Sequence, residues 1–221
     1  MSSATCGLYG GFRSRPLYQF ARDGTDRTFC FIHIPKTGGT AVETYFRSLG
    51  LNAFWDPPSY QSIRPYLRMP PAHYEYRIVN ALFRIESMYT FAIVRDPIQR
   101  LVSEYKWAIE KSTLPPQVRQ LGFSDFIRHM FAAYAQDENV LAGHLKPQHR
   151  FVGKGVARIF RYETGLDGII RQVLDDVGLK PEGDVKLPVI NKGTPARIAV
   201  TDDDIALIRQ TYEQDFKLFG Y

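Results

Sequence analysis

Cysteine is scarce: the 221-residue chain has two, Cys6 and Cys30. One sits near the start and one inside an apolar run, so there is no disulfide framework, and both are expected to be reduced thiols. Long hydrophobic runs are also missing. The longest cover residues 29–34 and 89–94, far short of the roughly 18 apolar residues of a membrane span. The opening stretch MSSATCGLYGGFRSRP lacks the apolar core of a secretory signal. A soluble, cytoplasmic protein is therefore expected. No block of Lys and Arg marks a nucleic-acid-binding tail, and no nucleic-acid partner is expected. There is no internal repeat and no low-complexity segment. His144 and His149 have no Cys or carboxylate at ligand spacing, which is poor support for zinc; no metal is expected.

Apolar residues make up 44% of the chain and charged residues 23%, which is globular rather than disordered composition. The length suits one α/β domain and would cramp two. Net charge is +5, a mild excess that favours anionic ligands. Residues 1–27 carry little periodicity and read as a flexible arm, leaving 28–221 as a single domain.

Within that domain, FCFIHI (29–34) is a buried strand bounded by Pro35. Pro35-Lys36-Thr37-Gly38-Gly39 must turn, since Pro stops the strand and Gly accepts backbone angles that other residues resist. Residues 40–49 read as a helix, capped by Thr40 and stopped by Gly50. A Pro-rich stretch follows, then a helix over 75–83 and a second strand over 88–94. Asp96-Pro97 opens another helix, Asp as cap and Pro at the first position. Helices over 123–134, 166–177 and 202–216 and a strand over 156–160 complete the reading, with Thr201 capping the last helix. Strand–helix alternation predicts a central parallel sheet flanked by helices. Ligands in such folds lie beyond the carboxyl ends of the strands.

Two strand-to-helix junctions carry the chemistry. At the first, backbone N–H groups and a helix N-terminus offer a cradle for a phosphate. Lys36 adds a full charge, and Thr37 and Thr40 add hydroxyls, beside Gly38 and Gly39. This is not the triphosphatase loop G-x-x-x-x-G-K-[ST], because the Lys precedes the glycines and no acidic magnesium ligand is evident. Read without context, the same residues form an ordinary turn. At the second junction, FAIVRDPIQRLVSEY (91–105) puts Arg95 at a strand end and Ser103 two helical turns later. A guanidinium fork and a hydroxyl so placed can converge on one anion. Arg100 and Tyr105 read as structural. His73 stands just before a helix, and a neutral imidazole suits proton abstraction near neutral pH.

Residues 29–46, FCFIHIPKTGGTAVETYF, resemble the 5′-phosphosulfate loop of the sulfotransferases that use 3′-phosphoadenosine 5′-phosphosulfate (PAPS). The likeness is greatest to the branch that contains Golgi carbohydrate sulfotransferases and bacterial relatives. It extends softly over residues 28–221, through the H-x-x-P-Q run at His144–Gln148, thought to lie near the acceptor, and Arg161-Tyr162-Glu163, of structural role. The resemblance implies a P-loop-like nucleotide-binding sulfotransferase fold and transfer of a sulfuryl group from PAPS to an acceptor hydroxyl, on a carbohydrate, with release of PAP. It implies that Lys36, Thr37, Gly38, Gly39 and Thr40 hold the 5′ side, that Arg95 and Ser103 grip the 3′-phosphate, and that Lys192 and Thr194 close over the cofactor. Lys36 and His73 are the catalytic pair so implied, His73 as the base for the acceptor hydroxyl, with Glu43 as the alternative base. Two other readings stay open: an ATP-dependent kinase with a variant loop, and a non-catalytic module binding PAP or an anionic glycan.

Overall fold

The computed structural model describes residues 17–22, 25–51, 70–111, 114–181, 183–190 and 198–221. Four strands form one sheet in the order β1-β2-β3-β4: β1 Leu17–Arg22, β2 Thr25–Ile32, β3 Tyr89–Val94 and β4 Arg158–Arg161. The last three are parallel, with Phe29 opposite Tyr89 and Phe91 opposite Arg158. β1 is antiparallel to β2, Leu17 facing Cys30 and Arg22 facing Thr25. Two residues link β1 to β2, enough for a hairpin but not for the crossover a parallel neighbour needs. The expected all-parallel sheet thus gains an antiparallel edge, and part of the expected arm is a strand. β2 also starts four residues before its apolar run. Its polar half, 25–28, pairs only with β1, whereas Phe29 and Cys30 lie between two strands and Phe31 and Ile32 pair with β3.

The helices are α1 Gly39–Ser48, α2 Tyr76–Phe83, α3 Pro97–Lys111, the single turn α4 Pro116–Arg119, α5 Phe123–Gln136, α6 Leu166–Val177, α7 Asp202–Thr211 and α8 Glu213–Phe219. Among the described residues no helix is long and apolar enough to cross a membrane. Both faces of the parallel strands are covered, and the alternation of side chains sorts the core. Phe29, Phe31, Phe91 and Ile93 pack against Val42 and Phe46 of α1 and Ile170 and Val173 of α6. Cys30, Ile32, Ala92 and Val94 face the other way, onto Val79, Ile85, Phe151 and Phe219. A third cluster, built from α3, α5 and the C-terminal helices, holds Tyr105, Phe126, Met130, Ile208 and Tyr212. Burial of Cys30 pushes its thiol pKa far up, so it is an inert core residue.

Several ends follow local rules. Asp96 Oδ1 accepts from the Gln99 amide at 2.8 Å and caps α3. Thr201 and Asp204 form a reciprocal capping box on α7. Gly50 and Gly178, both at positive φ, follow the ends of α1 and α6. Two readings change. The cap of α1 is Gly38, left-handed at φ 88, and Thr40 lies inside the helix. The final helix breaks at Tyr212, whose buried ring sends its hydroxyl to the Leu145 carbonyl at 2.8 Å.

Phe91 is the hub of the first face: its ring lies 4.8 Å from that of Phe31, and Phe29, Phe46, Tyr89 and Phe160 surround it. Phe91→Ala is expected to lower unfolding stability by about 3–5 kcal/mol, read from urea denaturation. A loss under 1 kcal/mol, by the same scale, would mean the cavity collapses and the hub is not needed.

Candidate active site

The carboxyl ends of β2 and β3 open onto a cavity of about 1010 Å3. The turn after β2 is tight: Lys36 is left-handed at φ 68 and Gly38 at φ 88. Thr37 is buried, its hydroxyl donating to the Ile34 carbonyl at 2.9 Å. That hydroxyl staples the turn instead of facing a ligand, so only the main chain of Thr37 remains for the cradle. The glycines are also explained sterically. A Cβ on Gly39 would stand 2.3 Å from the His33 ring, and one on Gly38 would stand 2.7 Å from Leu166. Lys36, Gly38, Gly39 and Thr40 line the cavity, at the N-terminus of α1, where unpaired amides and the helix dipole favour an anion.

Arg95 and Ser103 line the same cavity from β3 and α3. The Arg95 guanidinium lies 4.4 Å from the Tyr162 ring centroid, and Nη1 donates to the Lys36 carbonyl at 3.3 Å. One side chain therefore ties the two junctions together. Its Nε is buried and has no hydrogen-bond partner among the described residues. Burial lowers the Arg95 pKa, offset in part by Tyr162, Glu163 and Asp96.

The main chain of Arg95 is held from behind. Gln148 Nε2 donates to its carbonyl at 2.7 Å, and its amide donates to Gln148 Oε1 at 2.9 Å. The Gln148 amide in turn donates to the buried carboxylate of Asp215 at 2.7 Å.

A family scan matches residues 18–221 to the model described as the sulfotransferase family. The chain belongs to the sulfotransferase family. No curated protein and no solved structure matches it. Arg95 and Ser103 thus join Lys36 around one cavity of a sulfotransferase. Lys192 and Thr194 lie outside the described residues.

The other wall of the sulfotransferase cavity is imidazole. His33, His73 and His144 form a row: the His33 and His73 rings are 5.5 Å apart, and His73 and His144 are 4.7 Å apart, each edge to face. His73 Nδ1 donates to the Ala142 carbonyl at 2.9 Å, which leaves Nε2 bare. Burial first, then His144, His33 and Lys36, hold the His73 pKa well below the usual imidazole range; its ring is neutral at physiological pH. The Ala142 carbonyl is aimed by an unusual turn: Leu141, Ala142 and Gly143 are all left-handed, at φ 51, 56 and 79. Such geometry costs roughly 1–2 kcal/mol for each non-glycine residue and persists where the surroundings impose it.

Both outer imidazoles are backed by carboxylates. His33 Nδ1 is 2.6 Å from Glu43 Oε1, and His144 Nδ1 is 2.7 Å from Glu104 Oε2. Glu43, the alternative base, is therefore committed to His33. Among the described residues no group of three His, Cys, Asp or Glu is arranged to hold a metal ion. Lys36 Nζ sits 5.2 Å from the Trp107 ring centroid, and Trp107 also packs on His144. Sequence reasoning missed His33, Glu104 and Trp107. Glu104 was detectable: it stands on the same face of α3 as Leu101 and Ala108, where an acid needs a buried partner.

Gln148→Leu keeps the volume but strips the Arg95 amide and carbonyl of their partners. It is expected to cost about 1–3 kcal/mol for each group left unpaired, measured by chemical denaturation. Unchanged stability would show that the clamp carries no load.

Proposed function

We propose that this sulfotransferase moves the sulfuryl group of PAPS to a carbohydrate hydroxyl and releases PAP, on a P-loop-like nucleotide-binding fold. The observation that carries this reading is the meeting of Arg95, Ser103 and the Lys36 turn on one cavity. A guanidinium and a hydroxyl from a second strand-to-helix junction fit a second phosphate, the feature that separates PAP from ADP. The three imidazoles and Trp107 that line the same cavity support a ring-shaped acceptor carrying hydroxyls.

In this reading PAPS supplies an activated sulfuryl group whose departure leaves negative charge on the 5′-phosphate. The α1 amides, Thr40 and Lys36 stabilise that charge where it develops, with little reorganisation because the turn is already set. Arg95 and Ser103 fix the far end of the nucleotide. His73, held with Nε2 bare, takes the proton of the attacking hydroxyl. Its low pKa keeps it in the competent form at neutral pH.

Isothermal titration with PAP, ADP and ATP tests the donor. PAP is expected to bind most tightly, and Arg95→Ala or Ser103→Ala to weaken PAP by about 10–100-fold, the worth of one charge-assisted hydrogen bond, while ADP changes little. Equal affinity for PAP and ADP, or a preference for magnesium ATP, would sink this reading in favour of a kinase. With PAPS and a sugar acceptor, Lys36→Ala is expected to slow turnover on the order of 10²-fold; normal turnover would remove Lys36 from the chemistry.

A further inference from the structure

The three imidazoles share a feature that a single base does not need. Each has its Nδ1 tied to an oxygen: His33 to Glu43 Oε1 at 2.6 Å, His73 to the Ala142 carbonyl at 2.9 Å and His144 to Glu104 Oε2 at 2.7 Å. A carbonyl or carboxylate oxygen only accepts, so Nδ1 carries the proton in each ring, and Nε2 of the neutral ring is a lone pair. No imidazole nitrogen is among the buried polar atoms that lack a partner in the described residues. With the Nδ1 edges held by the protein, what the rings offer to the cavity they line is the Nε2 edge.

The rings are not equivalent. His33 stands against the donor turn: a Cβ on Gly39 would lie 2.3 Å from its Nε2. His73 is in the middle, its centroid 5.5 Å from that of His33 and 4.7 Å from that of His144. His144 is at the far end, beside Trp107. A hydroxyl activated by His73 has the donor on its His33 side, so the next polar group of the acceptor has His144 on the other. The His144 ring is also held in place. Glu104, 2% exposed, fixes Nδ1. Arg100 grips the His144 carbonyl at 2.9 Å, and Trp107 packs on the ring at 5.2 Å. A fixed lone pair has one kind of partner, a hydrogen-bond donor. An ionised carboxylate or a sulfate has no proton to give, and an apolar group would leave the nitrogen unpaired.

We propose that His144 determines acceptor specificity by holding the hydroxyl next to the one being sulfated, so that the acceptor class is a vicinal diol, two neighbouring hydroxyls on one sugar ring. The inference deepens the reading above and rests on His73 as its base. Hydroxyls on adjacent carbons lie close enough for one to meet each of two rings whose centroids are 4.7 Å apart. Each lone pair has one task. Nε2 of His73 takes the proton of the attacking hydroxyl. Nε2 of His144 accepts a hydrogen bond from the neighbouring hydroxyl, which keeps its proton. Glu104 is a positioning residue, acting through the tautomer and orientation of His144. A site built this way discriminates against an analogue without the second hydroxyl, because a polar group is then left unpaired.

Sulfuryl transfer by the full chain from PAPS to the methyl pyranosides of glucose, galactose and mannose tests this, with the sulfated position read from the product by NMR. The sugar that reacts is then compared with its analogues deoxygenated at each carbon next to that position. Loss of the hydroxyl that His144 holds is expected to lower kcat/KM by about 10–100-fold, the range for a polar group left without its partner. His144→Asn keeps an N–H for Glu104 near the place of Nδ1 and removes Nε2. It is expected to cost about as much on the parent sugar and little more on the deoxy analogue, since both changes delete the same contact. A merely structural His144 would slow both sugars equally, and that result would overturn the proposal. So would deoxy analogues that all react as well as the parent in the unaltered protein, a comparison that needs no variant to fold. PAP titration of the same samples separates the two ideas. A protein that prefers PAP but sulfates none of these sugars, or is indifferent to the neighbouring hydroxyl, loses only the diol. One without the preference loses the donor reading.

Discussion

Much of this site hangs on two hydrogen bonds from one side-chain amide. Where β3 ends, Arg95 has left the ladder, and its amide and carbonyl would be unpaired inside the protein. Gln148 supplies both partners, at 2.9 and 2.7 Å. Because Gln148 is itself fixed by Asp215 of α8, the C-terminal helix is coupled to the end of the central strand. The same short segment carries His144 at its other end. Its carbonyls at His144 and Lys146 are gripped by the buried Arg100 of α3 at 2.9 and 3.0 Å. One irregular stretch thus sets both Arg95, on the anion side of the cavity, and His144, on the imidazole side. A disturbance at Gln148 would be felt on both walls.

Charge deep in the molecule is handled in the same way, through pairs that cross between distant segments. Lys146, 2% exposed, reaches Glu75 at 2.6 Å, and Arg150 reaches Glu75 and Glu138, each at 2.8 Å. Glu75 lies two residues past His73, and Lys146 two residues past His144. These pairs therefore strap together the two segments whose histidines face each other. Buried pairs of this kind are poor sources of net stability, since desolvation offsets attraction, but breaking one is costly. Their worth here is geometric: they hold two irregular loops at one spacing where no sheet or helix does so. The left-handed run at Leu141–Gly143 is tolerated because its flanks are anchored in this way.

The parts that the sequence announced are those governed by short-range rules. Apolar runs at 29–34 and 88–94 mark the buried strands, Asp96-Pro97 and Thr201 mark helix starts, and Pro35–Gly39 marks the turn into α1. What it did not announce depends on partners far away in sequence. The strand Leu17–Arg22 has no strong pattern of its own and exists through pairing with β2. Thr37 carries a hydroxyl that could face either way, and only the Ile34 carbonyl decides it. Gly39 looked like a close approach for an anion, and His33 supplies a steric reason as well. His73 stands out as a candidate from its own segment, whereas its neighbours 40 and 71 residues away cannot be read from spacing; the row of rings is made by tertiary contacts between a strand end, a turn and the Gln148 segment.

The two walls of the cavity meet at Lys36. Its carbonyl accepts from Arg95, its ammonium stands over Trp107, and its charge bears on both Glu104 and His73. A single left-handed lysine is therefore coupled to the anion side and the imidazole side at once. Positive charge here does two opposed things: it favours an anion on the nucleotide side and disfavours a proton on His73. An anion bound at the turn would offset the charge of Lys36 and with it the penalty for an imidazolium at His73, so the two sides of the cavity are linked electrostatically through one residue.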